Sequence, residues 1–333
     1  MFHRLSYLLF ACALWLCPTE VTLAQEPIIT VLEDGEQQTD SSYYDIEQVG
    51  ETEYWAVGKY GIITSLKTDG QISRVQFPNQ GADLLKVQRL DEDRIMIAAD
   101  SGYLYFYEKS TARWEVNRVE GYENFCFYNA AQVDGDVLLV CGGKSSIAAE
   151  KKALPFGFIL RSTDGGKNWE KVFDSKLNMV WSVKYDKLAR ELNALLYHPI
   201  RQSRLISSAD LGRTWNKTST HLKGLFHDFS NLNGKTLFSG GRNPNFNLNG
   251  AIATMEKVNN FQSGMFWDIA HNKNWILATS TDGNLVYRKL LGDWNFLTTS
   301  VCKNLYEIAF IDEHTAFVVG SYKTILKVSF PQQ

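Results

Sequence analysis

The clearest repeating unit in this sequence reads LYEIAF at residues 305–310, AFVVG at 316–320 and TILK at 324–327. Each run is rich in aliphatic and aromatic residues, and a few polar or glycine residues separate it from the next, which is typical of short strands joined by tight turns. Similar runs follow one another along the chain, and no long segment carries the 3.6-residue apolar period of a helix. The sequence therefore predicts an all-β protein.

The unit recurs over most of the chain. Aligning the first strands of the repeats selects one position in each: Tyr44, Leu85, Tyr128, Trp181, His227, Trp267 and Tyr306. These positions lie 41, 43, 53, 46, 40 and 39 residues apart, and the long step contains an insertion at 144–155. A period near 40 residues is typical of four-stranded propeller blades. We therefore predict a seven-bladed β-propeller of four-stranded antiparallel blades over residues 25–333.

The last repeat ends after its third strand, so its blade lacks an outer strand. The segment IITVL at 28–32 precedes the first complete repeat and is rich in β-branched residues. We predict that it supplies the missing strand, because this pairing would close the ring and cover an exposed strand edge.

Residues 1–24 have the pattern of a secretory signal peptide. A short basic start is followed by an apolar run at 5–16 and by the small residues Thr22 and Ala24. We therefore predict cleavage after Ala24 and export to the periplasm or the extracellular space. A lipoprotein signal at Cys12 is the alternative, although apolar residues continue beyond that cysteine. No later stretch has the ~20 consecutive apolar residues of a membrane span, so we expect no transmembrane segment in the mature chain.

Charge and cysteine content narrow the function classes. With 34 basic and 37 acidic residues the net charge is −3, which gives no reason to expect a nucleic-acid partner. Only Cys126, Cys141 and Cys302 of the five cysteines follow the predicted signal, and their spacing is not that of a zinc site. A Cys126–Cys141 disulfide and two free thiols both remain open. No cofactor or metal motif is present, and we expect a monomer without cofactors.

Two octapeptides share the pattern Ser-x-Asp-x-Gly-x-x-Trp, at 162–169 and 208–215. The pattern is similar to the Asp-box, also called the BNR repeat. In such a hairpin we expect the Asp to accept turn amides, the Gly to adopt a conformation that other residues resist, and the Trp to fold back into the core. We interpret these residues as structural: Ser162, Asp164, Gly166, Trp169, Ser208, Asp210, Gly212 and Trp215. A calcium or sugar site is the alternative, but no further carboxylates support it.

Two longer phrases, AVGKYGII at 56–63 and GFILRSTDGG at 157–166, resemble the photosystem II stability/assembly factor-like propellers. The resemblance covers nearly the whole predicted mature chain. It implies an exported propeller whose partner is not defined by the family.

Sialidases share the Asp-box and the propeller, and they define the enzyme alternative. Their chemistry needs an arginine cluster, a Tyr nucleophile with a Glu, and an Asp acid. Their N-terminal Arg-Ile-Pro signature is missing, and the similar letters HPIR at 198–201 stand in another order in a middle repeat. We therefore predict no catalytic residues.

The first strand of each propeller blade lines the central channel, so the residue after each aligned position should face it. These residues are Asp45, Lys86, Asn129, Ser182, Asp228, Asp268 and Glu307. All are polar, four are acidic and none is arginine, which favours a mildly acidic channel that attracts cations or basic peptide groups. The simpler interpretation is that these residues are polar because they line a water-filled channel. Asp228 and Asp268, in neighbouring repeats, are candidates for a carboxylate pair in acid–base or metal chemistry.

Long connections between second and third strands occur in three consecutive repeats, at 144–155, 198–203 and 241–249. Their candidate partner-binding residues are Lys144, Lys151, Lys152, His198, Arg201, Arg242 and Phe246. Basic residues beside an aromatic suit an acidic protein or a glycan, although loops are also polar simply because they are solvated. The sequence thus predicts a non-catalytic binding or assembly factor for an envelope or secreted protein, with a carbohydrate-active lectin or glycosidase as the alternative.

Overall fold

The computed structural model describes residues 26–36, 41–79, 81–144, 156–198, 203–221, 225–232, 235–240, 245–247, 255–257 and 265–332. The predicted signal peptide at 1–24 lies outside these residues. The described segments contain no α-helix, only a 3-10 turn at Lys59–Gly61. No helix with the length and apolarity needed to cross a bilayer occurs in the described part of the chain.

Six sheets have four antiparallel strands each. The first sheet contains β2 (Tyr43–Gln48), β3 (Glu53–Gly58), β4 (Ile63–Lys67) and β5 (Ile72–Arg74), and the second contains β6 (Leu84–Arg89), β7 (Arg94–Ala99), β8 (Tyr103–Glu108) and β9 (Arg113–Arg118). The third contains β10 (Cys126–Asp134), β11 (Val137–Lys144), β12 (Phe156–Ser162) and β13 (Glu170–Ser175), and the fourth contains β14 (Met179–Asp186), β15 (Glu191–Tyr197), β16 (Arg204–Ser208) and β17 (Asn216–His221). The fifth contains β22 (Phe266–His271), β23 (Trp275–Ser280), β24 (Asn284–Lys289) and β25 (Asn295–Thr298), and the last contains β26 (Leu305–Phe310), β27 (Thr315–Gly320), β28 (Thr324–Ser329) and β1 (Ile28–Glu33).

The prediction of seven four-stranded blades is wrong, because the described residues form six blades of this kind. Between β17 and β22, β18 (Phe226–Leu232) pairs with β19 (Lys235–Gly240), and β20 (Asn245–Asn247) pairs separately with β21 (Met255–Lys257). The sequence GRNPNFNLNG at 241–250 gives the reason, since Asn, Gly and Pro disfavour strands. A regular spacing of first strands therefore overstated the number of complete blades.

The strands nearest the axis form a closed ring. β2, β6, β10, β14, β18, β22 and β26 each contact the next in this order, and β26 contacts β2. β1 pairs antiparallel with β28, with Ile28 opposite Ser329 and Thr30 opposite Lys327. The expectation that an N-terminal strand completes the last sheet is confirmed.

Apolar side chains are buried between neighbouring sheets. One cluster joins Trp55 and Ile63 to Val87, Ile97 and Tyr105 of the next sheet. Equivalent clusters fill the other gaps between sheets. Each sheet is thus covered by its neighbours, as in other repeat folds.

Cys126, Cys141 and Cys302 are free thiols in the structure. Across the β10–β11 ladder Cys126 lies opposite Gly143, and Cys141 lies opposite Asn129. The two cysteines are therefore not cross-strand partners, and the open question of a bridge is answered in favour of free thiols.

Candidate functional site

Every strand of the inner ring carries a β-bulge near its start. In β2 the register passes from Tyr43 to Asp45, and in β26 from Leu305 to Glu307. The side chains displaced by the seven bulges are Tyr44, Leu85, Tyr128, Trp181, His227, Trp267 and Tyr306, with Asp268 also skipped in β22. A bulge re-aims a side chain by placing two residues opposite one. The position aligned from sequence is therefore the bulged residue of each strand.

Glycine in the second strand makes room for four of these bulges, at Gly58, Gly142, Gly240 and Gly320. Gly58 lies opposite Tyr43, and a Cβ at Gly58 would come within 1.9 Å of the Ser42 carbonyl oxygen. A Cβ at Gly320 would similarly come within 2.2 Å of the Asn304 carbonyl oxygen. Only a residue without a side chain tolerates this approach.

The seven bulged residues, which we call the aromatic collar, surround a cavity of about 330 Å³ at one mouth of the channel. Neighbouring rings around the collar have centroid distances of 6.2 Å for Tyr44–Tyr306, 5.3 Å for Tyr306–Trp267, 4.9 Å for Trp267–His227, 6.2 Å for His227–Trp181 and 4.9 Å for Trp181–Tyr128. Leu85 completes the collar. Such a concave, mostly apolar lining with a few polar groups is typical of a ligand site.

The collar lies beside the end of β15. The ring of Tyr197, the last residue of β15, lies 5.2 Å from Trp181 and 5.3 Å from His227. His198 follows directly, so the loop that it begins starts beside the collar. The Nε1 atom of Trp267 is buried and has no hydrogen-bond partner among the described residues. The collar thus contains a buried donor that a bound acceptor would satisfy.

Beneath the collar, Lys86 joins two of the predicted channel residues. Its Nζ lies 2.7 Å from Asp45 and 3.8 Å from Glu307, and the side chain of Asp45 is 2% exposed. Asp45 also accepts the backbone N–H of Val87 at 2.7 Å. Burial alone would lower the pKa of Lys86, but Asp45 and Glu307 raise it above its ordinary value. Lys86 is therefore held charged between two carboxyls.

A second group lies across the channel around Asp228. Ser182 donates to Asp228 at 3.1 Å, and Lys184 donates to its other oxygen at 2.6 Å. Burial opposes the charge of Lys184, but Asp228, then Asp268 and Glu307, raise its pKa. These carboxyls therefore act on one ammonium group from three neighbouring strands.

Two further channel residues bond between sheets. The Oδ2 atom of Asp268 accepts the N–H of Ile308 at 2.9 Å, and Asn129 accepts the N–H of Val183 at 3.4 Å. Asp45 makes the equivalent bond to Val87. Three of the seven polar residues that follow a bulge therefore link their strand to the backbone of the next inner strand, a role that the sequence did not reveal.

Three carboxyls of the channel, those of Glu47, Asp268 and Glu307, have raised pKa values. Burial, followed by the neighbouring Asp228 carboxylate, raises the pKa of Asp268 well above its usual range. Burial, followed by the neighbouring Asp268 carboxyl, likewise raises the pKa of Glu307 well above its usual range. Burial raises the pKa of Glu47 to about 7, with Lys86 opposing. The channel thus holds more carboxyls than its two lysines balance, and the raised pKa values favour protonation of the excess.

Sequence reasoning missed Glu47 and Lys184. Both lie three positions after a bulged residue, whereas the prediction considered only the position directly after it. Because the bulge turns two successive residues toward the channel and the strand then alternates, the third position faces inward again. Repeating that alternation along each first strand would have found both residues.

The two Ser-x-Asp-x-Gly turns are stabilised from within. Asp164 accepts the backbone amides of Lys167 at 3.0 Å and Asn168 at 2.9 Å, together with the Ser162 hydroxyl at 2.8 Å. Gly166 has a φ of +96°, and Trp169 donates to its carbonyl at 3.0 Å. These bonds, the Asn168 amide first, lower the pKa of Asp164 to about 2.

The second turn repeats this arrangement. Asp210 accepts the Thr214 amide at 2.9 Å and the Ser208 hydroxyl at 2.7 Å, and Trp215 donates to the Gly212 carbonyl at 3.2 Å. The Thr214 bonds first, and the Ser208 hydroxyl after them, lower the pKa of Asp210 to about 2. In both turns the Asp, Ser and Trp side chains form these hydrogen bonds within the turn itself.

The loop residues are only partly described. Lys144 is exposed at the end of β11, opposite Phe156, and His198 is buried directly after β15. Phe246 belongs to β20, the short strand paired with β21. The other four candidates, Lys151, Lys152, Arg201 and Arg242, lie outside the described residues.

The described channel lacks the features of a sialidase-like or metal-dependent site. The residues that line the collar cavity include no arginine. Both oxygens of Asp268 accept backbone amides, from Ile269 at 2.7 Å and Ile308 at 2.9 Å, and Asp228 is bonded to Ser182 and Lys184. No group of three or more His, Cys, Asp and Glu side chains in the described ranges is arranged to hold a metal ion.

No protein-family profile matches this sequence, and neither does any curated protein. Solved structures do match. The structure described as YCF48 bound to D1 peptide has a TM-score of 0.69 and 13% identity, covering 92% of this chain and 96% of that one. YCF48 from Cyanidioschyzon merolae gives 0.65 and 15%, with 90% and 98% covered. A virginiamycin B lyase from Staphylococcus aureus gives 0.70 and 12%, with 92% and 100% covered. At these identities the likeness shows the propeller fold alone.

Proposed function

We propose that this chain is a non-catalytic propeller that binds a segment of another protein at the aromatic collar. The collar is the observation that carries the proposal. Six aromatic or imidazole rings converge on one cavity without a catalytic arrangement among the described residues, and aromatic side chains are enriched where proteins bind each other. The propeller described as YCF48 bound to D1 peptide supports this class of function, because a protein of the same fold binds a peptide.

We further propose that the protein acts as an exported assembly factor of the Asp-box type. The signal-like residues 1–24, the two Ser-x-Asp-x-Gly-x-x-Trp turns and the resemblance to photosystem II assembly factor-like propellers support this proposal. The partner is then a protein of the envelope or of the extracellular space.

Site-directed photo-crosslinking tests the binding proposal. A benzophenone amino acid at Tyr44, inside the collar, is compared with the same group at Tyr60, an exposed aromatic that follows β3 and is 52% exposed. Tagged protein is irradiated in its native host, and crosslinked peptides are identified by mass spectrometry. We expect a protein partner to crosslink at position 44 and much less at 60. Equal crosslinking at both positions, or none at 44, would contradict the proposal.

A carbohydrate ligand is the second candidate, because an aromatic-lined cavity also suits sugars and other small molecules. A glycan array and a panel of aryl glycosides separate the two. The protein-binding proposal predicts no signal on either. Saturable glycan binding that is lost on Trp181→Ala would favour the lectin, and turnover of an aryl glycoside would favour the glycosidase.

The basic loops form a separate proposed contact with the same partner. Charge reversal at Lys151 and Arg201 is expected to weaken recovery of the crosslinked partner if acidic residues of that partner face these loops. Unchanged recovery would remove the loops from the interface and leave the collar proposal intact.

A further inference from the structure

The collar combines apolar walls with a floor rich in carboxyl groups. Its rings come from Tyr44, Tyr128, Trp181, His227, Trp267 and Tyr306. Charged groups that line the same cavity are the carboxyls of Asp45, Asp228 and Glu307 and the single ammonium group of Lys86. The ring faces carry partial negative charge, so walls and floor favour a cation together.

The resident lysines do not satisfy this charge. Lys86 is already bound to Asp45 and Glu307, and Lys184 is bound to Asp228. Along the channel five carboxyls, those of Asp45, Glu47, Asp228, Asp268 and Glu307, face these two ammonium groups. The pKa values of Glu47, Asp268 and Glu307 are raised, so protons take up part of this excess and a bound cation would compete with them. A cation at the mouth would lower the electrostatic cost of the buried carboxylates.

His227 strengthens the aromatic character of the wall. Its Nδ1 lies 3.0 Å from the carbonyl oxygen of Phe266, and since a carbonyl only accepts, this nitrogen carries the proton. Burial lowers the pKa of His227 below its ordinary value. The imidazole therefore presents a neutral ring to the cavity and no positive charge that would repel a cation.

We propose that the aromatic collar selects one basic side chain, Lys or Arg, from an extended segment of the partner protein. The inference rests on the proposed function and adds the chemistry of the residue that enters the cavity. The cavity volume lies near the lower end of the range for ligand pockets, which suits one long side chain better than a folded surface.

Two matched pairs of probes separate charge from shape. Choline is compared with 3,3-dimethyl-1-butanol, its neutral isostere. The peptide acetyl-GGKGG-amide is compared with the same peptide carrying Nε-acetyl-lysine. Binding is followed by tryptophan fluorescence and by indole N–H resonances in ¹H–¹⁵N NMR. We expect the charged member of each pair to bind about tenfold tighter, as a cation–π site predicts.

Variants locate the effect. Trp181→Leu is expected to lower the affinity for the lysine peptide about tenfold, whereas Tyr60→Leu, outside the collar, leaves it unchanged. Glu307→Gln keeps the shape of the cavity and is expected to weaken the charged probe alone. If Trp181→Leu does not fold, as judged by circular dichroism, Tyr128→Leu and Glu307→Gln supply the same comparison.

Equal binding of charged and neutral probes, absence of binding by both, or insensitivity to the collar variants would overturn the inference. A protein crosslinked at position 44 together with equal probe binding leaves the proposed function standing and removes cation selectivity. Charge-selective probe binding without any crosslinked protein would support the cation selectivity of the collar and contradict the proposed binding of a protein.

Discussion

The carboxylates of Asp164 and Asp210 lie in outer turns and bond within four residues of themselves, whereas those of Asp45 and Asp268 lie on the channel and bond to the neighbouring inner strand. The first pair has lowered pKa values, and the pKa of Asp268 is raised. Local bonding explains why the turns can be recognised from eight consecutive residues. The channel bonds cannot be recognised in this way, because they join strands that are distant in sequence.

The largest effect is expected from Lys86→Met, which leaves Asp45 and Glu307 without their shared cation. Removing one partner of a buried ion pair costs about 3–5 kcal/mol of unfolding free energy, measured by urea denaturation. Lys273→Met is the control, because the side chains of its pair with Glu313 are 81% and 51% exposed. There we expect no measurable loss, because solvent screens the exposed pair. Similar losses in both variants would refute the distinction between channel and surface charges.

A smaller effect is expected from Gly166→Ala in the first turn. A Cβ at this position, where φ is +96°, would lie 2.4 Å from the ring of Phe106 in the preceding sheet. Strain and overpacking together should cost about 2–3 kcal/mol. Gly135→Ala is the control, since φ is +50° there and no atom lies within 4 Å of the added Cβ. It should cost about 1 kcal/mol, and equal costs would show that the turn does not pack against the neighbouring sheet.

Ser208→Ala tests how far the second turn depends on its own hydrogen bonds. Its hydroxyl accepts the Gly212 amide at 3.0 Å and donates to Asp210, so its loss should cost about 1 kcal/mol in chemical denaturation. The neighbouring Ser207 has no side-chain hydrogen bond within the described part of the chain. Ser207→Ala should change stability by about 0.5 kcal/mol or less. A larger loss at Ser207 would count against local stabilisation.

The pH dependence of stability should differ in sign between the two regions. Asp164 has a folded pKa of about 2, below the unfolded value of about 3.9, so its stabilisation is present above pH 4 and is lost toward pH 2. Glu47 has a folded pKa of about 7, so the native state binds more protons between about pH 4 and 7 and stability falls as pH rises through that window.

Unfolding free energies of Asp164→Asn and Glu47→Gln, measured from pH 2 to 8, test this contrast. Asp164→Asn should flatten the loss of stability below pH 4 without changing the curve near neutrality. Glu47→Gln should reduce the decline between pH 4 and 7 without changing the acid limb. Identical pH profiles for both variants and the unmodified protein would show that neither group titrates as the structure indicates.

Sequence periodicity predicted the strands and the N-terminal strand of the last sheet from patterns of apolar and small residues. Its aligned position coincides with the bulged residue, although no bulge was predicted. It selected Trp181 and Trp267 as alignment markers without recognising them as walls of a cavity, since a register shift cannot be read from one strand. It also missed Lys184, and it counted 226–257 as a complete blade. These errors arise where the structure depends on pairing between segments that are distant in sequence.

One consequence of the β1–β28 pairing concerns the order in which the molecule is made. Ile28 pairs with Ser329, so β1 has no partner strand on its β28 side until residue 329 has been synthesised. Contacts of such long sequence separation form slowly and late. The other sheets can therefore form during synthesis as an open arc. The ring closes only after β28 has been synthesised and has paired with β1.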